Sequence, residues 1–283
     1  MTFSSHSTNL VVRFLGFTHL LIAVGAGVSA LVSLKVLGFA DTCGEKSLLI
    51  AGFISACTGL GYSIQRWIKV KVFPEAVPPG RLEFIKRWGL MLIFTWGIAF
   101  FLAFHSVGKI PWLCMALLGL AGMGYAILPG KSSIRQLPHM KLPFLSVVWG
   151  GATVILPVLI IGAGDYNIFE DQKLHLIILV FLARTIYVAG LTIPFDVRDL
   201  NVDHEGMKTT PQNMGVRGAL ICATVVVVVS GGVWAIEGEW ELLVHAFVTA
   251  TVVSPWVCSE KRGEWYYSIL LDGMLVLQAG VLA

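Results

Sequence analysis

Apolar residues in this chain run in long blocks separated by short polar segments. They do not alternate, and they do not recur on one face of an otherwise polar helix. Nine blocks stand out, near 14–36, 47–64, 88–106, 110–128, 143–163, 174–195, 217–236, 242–258 and 265–283. A bilayer's hydrocarbon core takes about 20 apolar residues of helix at about 1.5 Å rise each. In lipid only helices and closed barrels satisfy their own backbone polar groups, and barrel strands alternate over about ten residues. The pattern therefore predicts an all-α membrane protein with nine transmembrane helices, forming one polytopic membrane domain over residues 1–283. Within the first block Val28, Ser29 and Ala30 resemble a signal-peptide cleavage site. But the segment before it carries only Arg13 and the apolar run continues past Ala30, so a membrane span is expected there.

Composition agrees. Hydrophobic types make up 56% of the 283 residues and charged types 13%. That is about half the charge of a soluble domain, which excludes an ordinary cytosolic enzyme, a disordered chain and a disulfide scaffold. The five cysteines lie mostly within spans and form no C-x-x-C pair, so they read as apolar filler. The basic residues are scattered between apolar runs, and no nucleic-acid partner is expected. With the nine spans in place, 15 of the 20 Lys and Arg fall on the side of the N-terminus and 4 on the other, with Arg184 inside a span. The positive-inside rule then puts the N-terminus in the cytoplasm and the C-terminus outside. The longest polar segments, 65–87, 129–142 and 196–216, all fall on the cytoplasmic side.

One of these segments carries candidate chemistry. Asp196, Asp199 and Asp203 stand at i, i+3 and i+7, within about a 60° arc of a helix. Three carboxylates on one stripe repel, and at a membrane boundary a bound cation relieves them. Oxygen-only ligation selects Mg²⁺ or Ca²⁺ over zinc. A calcium loop fails on spacing. Counting from Asp199, the sixth position is His204, where glycine is needed, and the twelfth is Thr210 instead of glutamate.

The loop continues through Glu205, Gly206, Met207, Lys208, Thr209, Thr210 and Pro211 to Gly215. Here the sequence resembles the UbiA-type intramembrane prenyltransferases, whose second aspartate motif, DxxDxxxD, lies after the sixth helix and is followed by a glycine, a basic residue and a turn. A second resemblance is Tyr125, followed by Pro129, Lys131 and Arg135 and then by Gly150 and Gly151. It is similar to that family's tyrosine–proline–basic segment between helices four and five. The resemblance implies a UbiA-like nine-helix bundle. It also implies a reaction in which Mg²⁺ held by two aspartate motifs binds a polyprenyl diphosphate, and the prenyl group passes to an aromatic or other lipophilic acceptor. On this reading Asp196, Asp199 and Asp203 are the metal ligands, and Lys208, Arg66 and Lys131 contact the diphosphate. The partners expected are a polyprenyl diphosphate or another isoprenoid lipid, and the membrane.

The chain departs from that family at the first aspartate motif, expected at the end of the second helix. The aligned positions are Ser63, Ile64, Trp67 and Lys71, with no acid among them. Arg66, Lys69 and Lys71 instead place positive charge where negative charge belongs. Two readings follow. Cationic side chains replace a metal, with Arg66 clamping the diphosphate or pairing with the acidic loop. Alternatively the chain is an inactive or altered homologue that binds an isoprenoid lipid without transferring it.

Other residues add rival classes. Seven histidines raise a haem or quinone protein, though haem needs two facing histidines at one depth. A transporter would show internal repeats, and none is visible. Arg184 and Asp272 are intramembrane charges that need partners, with each other as one option. Pro157 and Pro194 are expected to kink their spans.

Overall fold

The computed structural model describes residues 10–39, 44–127, 137–163, 171–201, 203 and 205–281. Among them every regular element is helical, and nine helical passes are present. They are α1 (Leu20–Val36), α2 (Gly44–Val72), α3 (Pro79–Val107), α4 (Trp112–Ile127), α5 (Lys141–Gly162), α6 (Asp171–Arg198), α7 (Thr210–Ile236) and α8 (Trp240–Val253). The ninth, α9, joins a π-helical Tyr266–Leu271 to an α-helical Asp272–Leu277. Five of the nine (α2, α3, α5, α6 and α7) are long and apolar enough to cross a membrane alone, and shorter apolar helices accompany them. The chain is an integral membrane protein.

Local chemistry explains the ends. α3 opens with Pro79 in its first turn, where a missing N–H costs nothing. α7 starts from Thr209 in extended conformation, whose backbone N–H donates to Gln212 Oε1 at 2.9 Å. Gly215 then breaks the helix path with φ 73°. Near Pro157, α5 takes a π-helical turn over Gly151–Ile155, which absorbs the proline by widening one turn. Pro194 is accommodated inside α6.

Two boundaries differ from the apolar pattern in a way that matters. α2 runs on past the apolar block to Val72, and α3 begins nine residues before its own at Pro79. Arg66, Lys69, Lys71, Arg81, Lys86 and Arg87 therefore stand on helix, not on loop. Amphipathic ends of long helices hold such charges by snorkelling, and hydropathy alone does not see them.

α1 packs against α2, α5 and α9; α2 against α3 and α4; and α6 against both α5 and α7, with α8 completing the far side on α7. One apolar core joins Ala30, Leu34, Ile50, Phe53, Val158 and Ile161. A second joins Tyr187, Val188, Leu220, Ala223, Val227 and Leu271. Between the cores lies Arg184, fully buried. It donates to Gln278 Oε1, to the Ser29 carbonyl at 3.0 Å and to Ser33 Oγ at 3.3 Å, and it faces the Trp234 ring at 5.6 Å. The partners of this intramembrane arginine are neutral groups, its Nε is left without a hydrogen bond, and Asp272 belongs to another cluster.

Candidate functional site

The polar groups gather at one end of the bundle, where α2 and α6 end and α3, α5 and α9 begin. α6 closes on Asp196, Val197 and Arg198. Beyond it the chain keeps winding, with Asp199 N–H donating to the Phe195 carbonyl at 3.0 Å and Asp203 N–H to the Asp199 carbonyl at 2.8 Å. The three aspartates nevertheless do not share one partner. Asp196 and Asp203 converge on the ammonium of Lys141, at the first position of α5. Lys141 Nζ lies 2.7 Å from Asp196 Oδ1 and donates to Asp203 Oδ2. Asp196 is 1% exposed; neither of its oxygens is aligned for a hydrogen bond, and Oδ2 has no partner. Asp199 turns the other way, gripped in bidentate fashion by Arg198 through Nε at 2.7 Å and Nη2 at 3.2 Å.

Arg198 in turn lies over the rings of Phe195 and Tyr267, at 5.3 and 5.1 Å. Beside it, buried Arg81 of α3 donates through Nη2 to Glu264 Oε2 and to Ser268 Oγ, both at 2.9 Å, and stacks on Phe17 at 5.0 Å. Ser268 Oγ also donates to Glu264 Oε2 at 3.0 Å. Arg66, half-buried on α2, completes the group. Arg66, Arg81 and Arg198 lie within electrostatic range of one another and, between them, of Asp199, Glu264 and Asp272. Tyr62, one turn before Arg66, faces the same cluster, and His19 packs on its ring at 6.1 Å. His19 Nδ1 meets Ser63 Oγ at 3.1 Å. Burial alone would raise the Glu264 carboxyl, but Arg81, followed by Arg198, outweighs it and holds the acid below the ordinary glutamate value.

The electrostatic outcome is three guanidiniums against three carboxylates, next to a Lys141–Asp196–Asp203 trio that keeps one net negative charge. A divalent cation needs carboxylates that face it together. Among the described residues no group of three or more His, Cys, Asp or Glu side chains is arranged that way. The position between Asp196 and Asp203 is filled by an ammonium, and Asp199 is turned onto a guanidinium. As arranged, the ammonium of Lys141 balances one of the two carboxylates it touches, and the Arg198 guanidinium balances Asp199.

Of the other residues singled out from the sequence, Lys208 is exposed, at φ 47°, and its carbonyl accepts from Asn213 Nδ2 at 2.7 Å. Lys71 points outward over the Trp67 ring, at 5.6 Å. Lys131, Pro129 and Arg135 lie outside the described residues, as does the side chain of Tyr125. Sequence reasoning passed over Lys141, Arg81, Arg198 and Glu264, counting the three basic residues only toward membrane orientation. The usable signal was position. Each stands within two residues of a helix end, at the polar end where the acidic loop also lies.

With this geometry in hand, the comparisons with known proteins are specific about fold. The chain is similar to the apo structure of a UbiA homologue from Aeropyrum pernix K1, at 15% identity and a TM-score of 0.64, over 92% of this chain and 97% of that one. It is also similar to a structure described as digeranylgeranylglyceryl phosphate synthase, at 13% identity and a TM-score of 0.50, over 96% and 95%. No protein-family model matches the chain, and no curated protein matches it.

Proposed function

We propose that this chain is a UbiA-type prenyltransferase-like membrane protein that holds an isoprenoid with a diphosphate head at the polar end of its bundle. On this reading the acceptor is an aromatic or other lipophilic molecule. The observation that carries the reading is the gathering of Arg66, Arg81 and Arg198 beside the aspartate loop, inside a fold shared with UbiA-type proteins. Arginine suits diphosphate because its planar fork offers paired donors. Arg66 is the first contact to consider, because Arg81 and Arg198 already have carboxylate partners. Lys208 and Lys131 are further diphosphate contacts on this reading. The charge asymmetry supports a cytoplasmic orientation for the end that bears the cluster.

A Mg²⁺ ion at Asp196, Asp199 and Asp203 is a second reading, favoured by the buried Asp196 Oδ2, which has no partner. One experiment separates the two. Binding of geranylgeranyl diphosphate and of geranylgeraniol to the purified protein is measured with Mg²⁺ and with a chelator. The arginine reading expects diphosphate binding that survives the chelator and is lost in Arg66→Gln. The metal reading expects binding that fails with the chelator. No discrimination between diphosphate and alcohol would overturn both. Incubation with a lipophilic phenol as acceptor then distinguishes transfer from binding alone.

A further inference from the structure

The outer groove between α2 and α3 is set apart from the polar cluster just described. At its polar end a cavity of about 340 Å³ is lined by Trp67, Val70 and Lys71 of α2 and by Lys86, Arg87 and Leu90 of α3. One turn deeper a second cavity, about 390 Å³, is lined only by apolar residues, among them Leu60, Phe94, Gly97 and Phe101. On α3 the lining positions 87, 90, 94, 97 and 101 alternate spacings of three and four, so both cavities lie on one stripe of one helix.

We propose that this groove binds a membrane lipid with an anionic, phosphate-bearing head, seated head-first against Lys71, Lys86 and Arg87 with one chain along the apolar stripe. The three cations are exposed, and among the described residues none forms an ion pair. Two are held by aromatic rings, Lys71 over Trp67 at 5.6 Å and Arg87 over Trp88 at 5.2 Å, which places them at the level where Trp rings meet lipid heads. The dimension fits one leaflet. From Leu90 to Phe101 the stripe runs about 16 Å along the helix, against about 15 Å for half of a hydrocarbon core. The room for the chain is created by Gly97, where an added Cβ would meet nothing within 4 Å. A bulky residue there would fill the channel without touching the head.

The test is native mass spectrometry of the purified protein, equilibrated with equimolar phosphatidylglycerol and phosphatidylcholine of identical chains. The expected result is retention of one phosphatidylglycerol in preference to phosphatidylcholine by roughly fivefold or more, since each basic residue near an anionic surface contributes about that factor. The triple variant K71Q/K86Q/R87Q, changed only at exposed positions, is expected to retain both lipids equally. Gly97→Leu keeps all three cations and is expected to lose the bound lipid, while Gly97→Ala keeps it. Equal retention of the two lipids by the parent protein overturns the proposal. So does undiminished phosphatidylglycerol on Gly97→Leu, which would mean that the head alone is held. Displacement by soluble glycerol phosphate as effectively as by lipid also overturns it. Circular dichroism of each variant verifies that its helices are retained.

Discussion

Lys141 Nζ lies 2.7 Å from Asp196 Oδ1, joining the first residue of α5 to the last turn of α6 in a buried ion pair. The same ammonium holds Asp203, so one lysine neutralises half of the charge that two carboxylates bring to the bundle's polar end. Removing the lysine takes the ammonium away from two buried carboxylates. Lys141→Met is expected to destabilise the protein by about 3–5 kcal/mol, the range for breaking a buried pair from one side. Adding Asp196→Asn to that variant is expected to restore part of the loss. Unfolding in mixed micelles measures both. Mg²⁺ is expected to raise the melting temperature of Lys141→Ala more than that of the parent. Equal shifts would show that metal and ammonium do not compete for one position.

Glu264 makes acid stability depend on Arg81. Its carboxyl is held below the ordinary value of about 4.3. A depressed carboxyl stabilises the folded state fully above its unfolded value, and that contribution is lost as the pH falls through the lower folded value. The difference in melting temperature between the parent and Glu264→Gln is therefore expected to be largest near neutral pH and to shrink as the pH is taken below about 4.3. A difference that stays constant across this range would remove Glu264 from the acid limb.

Arg184 is expected to be structural. Arg184→Met removes three buried guanidinium hydrogen bonds, to Gln278 Oε1, the Ser29 carbonyl and Ser33 Oγ, while the Ser29 hydroxyl still donates to Gln278 Oε1 and the Ser33 hydroxyl to the Ser29 carbonyl. Each hydrogen bond lost from the charged donor costs about 1.5–3 kcal/mol. The double variant R184M/Q278M, which removes both the donor and its main acceptor, is expected to be more stable than Arg184→Met alone. Prenyl-diphosphate binding by whatever fraction remains folded is expected to match the parent.

Gly190 sets how closely α6 and α7 approach. A Cβ there would lie 2.5 Å from Val227 Cγ2 and 3.0 Å from the backbone oxygen of Ala223, which cannot step aside. Gly190→Ala is expected to cost about 1–3 kcal/mol through overpacking. Gly97→Ala, with open space around it, is expected to be neutral or to stabilise by about 0.5–1 kcal/mol through helix propensity. The same melting measurement distinguishes the two glycines.

The fold was legible because its main determinant is local. The nine apolar blocks correspond in order to the nine helical passes among the described residues. The ends were less legible. The charged tail of α2 and the head of α3 lack hydropathy, so Arg66 and Arg81 read as loop residues although both stand on helix. The acidic stripe was visible as a pattern, but its division was not. A helical arc places Asp196, Asp199 and Asp203 on one face, but the arc does not set side-chain direction, and the Asp199 carboxylate turns onto its neighbour Arg198 while the backbone keeps its helical hydrogen bonds.

By itself the sequence determined that this chain enters a membrane as helices, in what order they pass, and that charge crowds at one end. Lipid leaves a backbone no other way to satisfy its hydrogen bonds, and apolar length is a property of consecutive residues. Only the tertiary structure decided which cation meets which carboxylate. Lys141 and Asp203 are 62 positions apart, and Arg81 and Glu264 are 183 apart. A Coulomb pair is governed by separation in space, and no spacing along the chain encodes that distance.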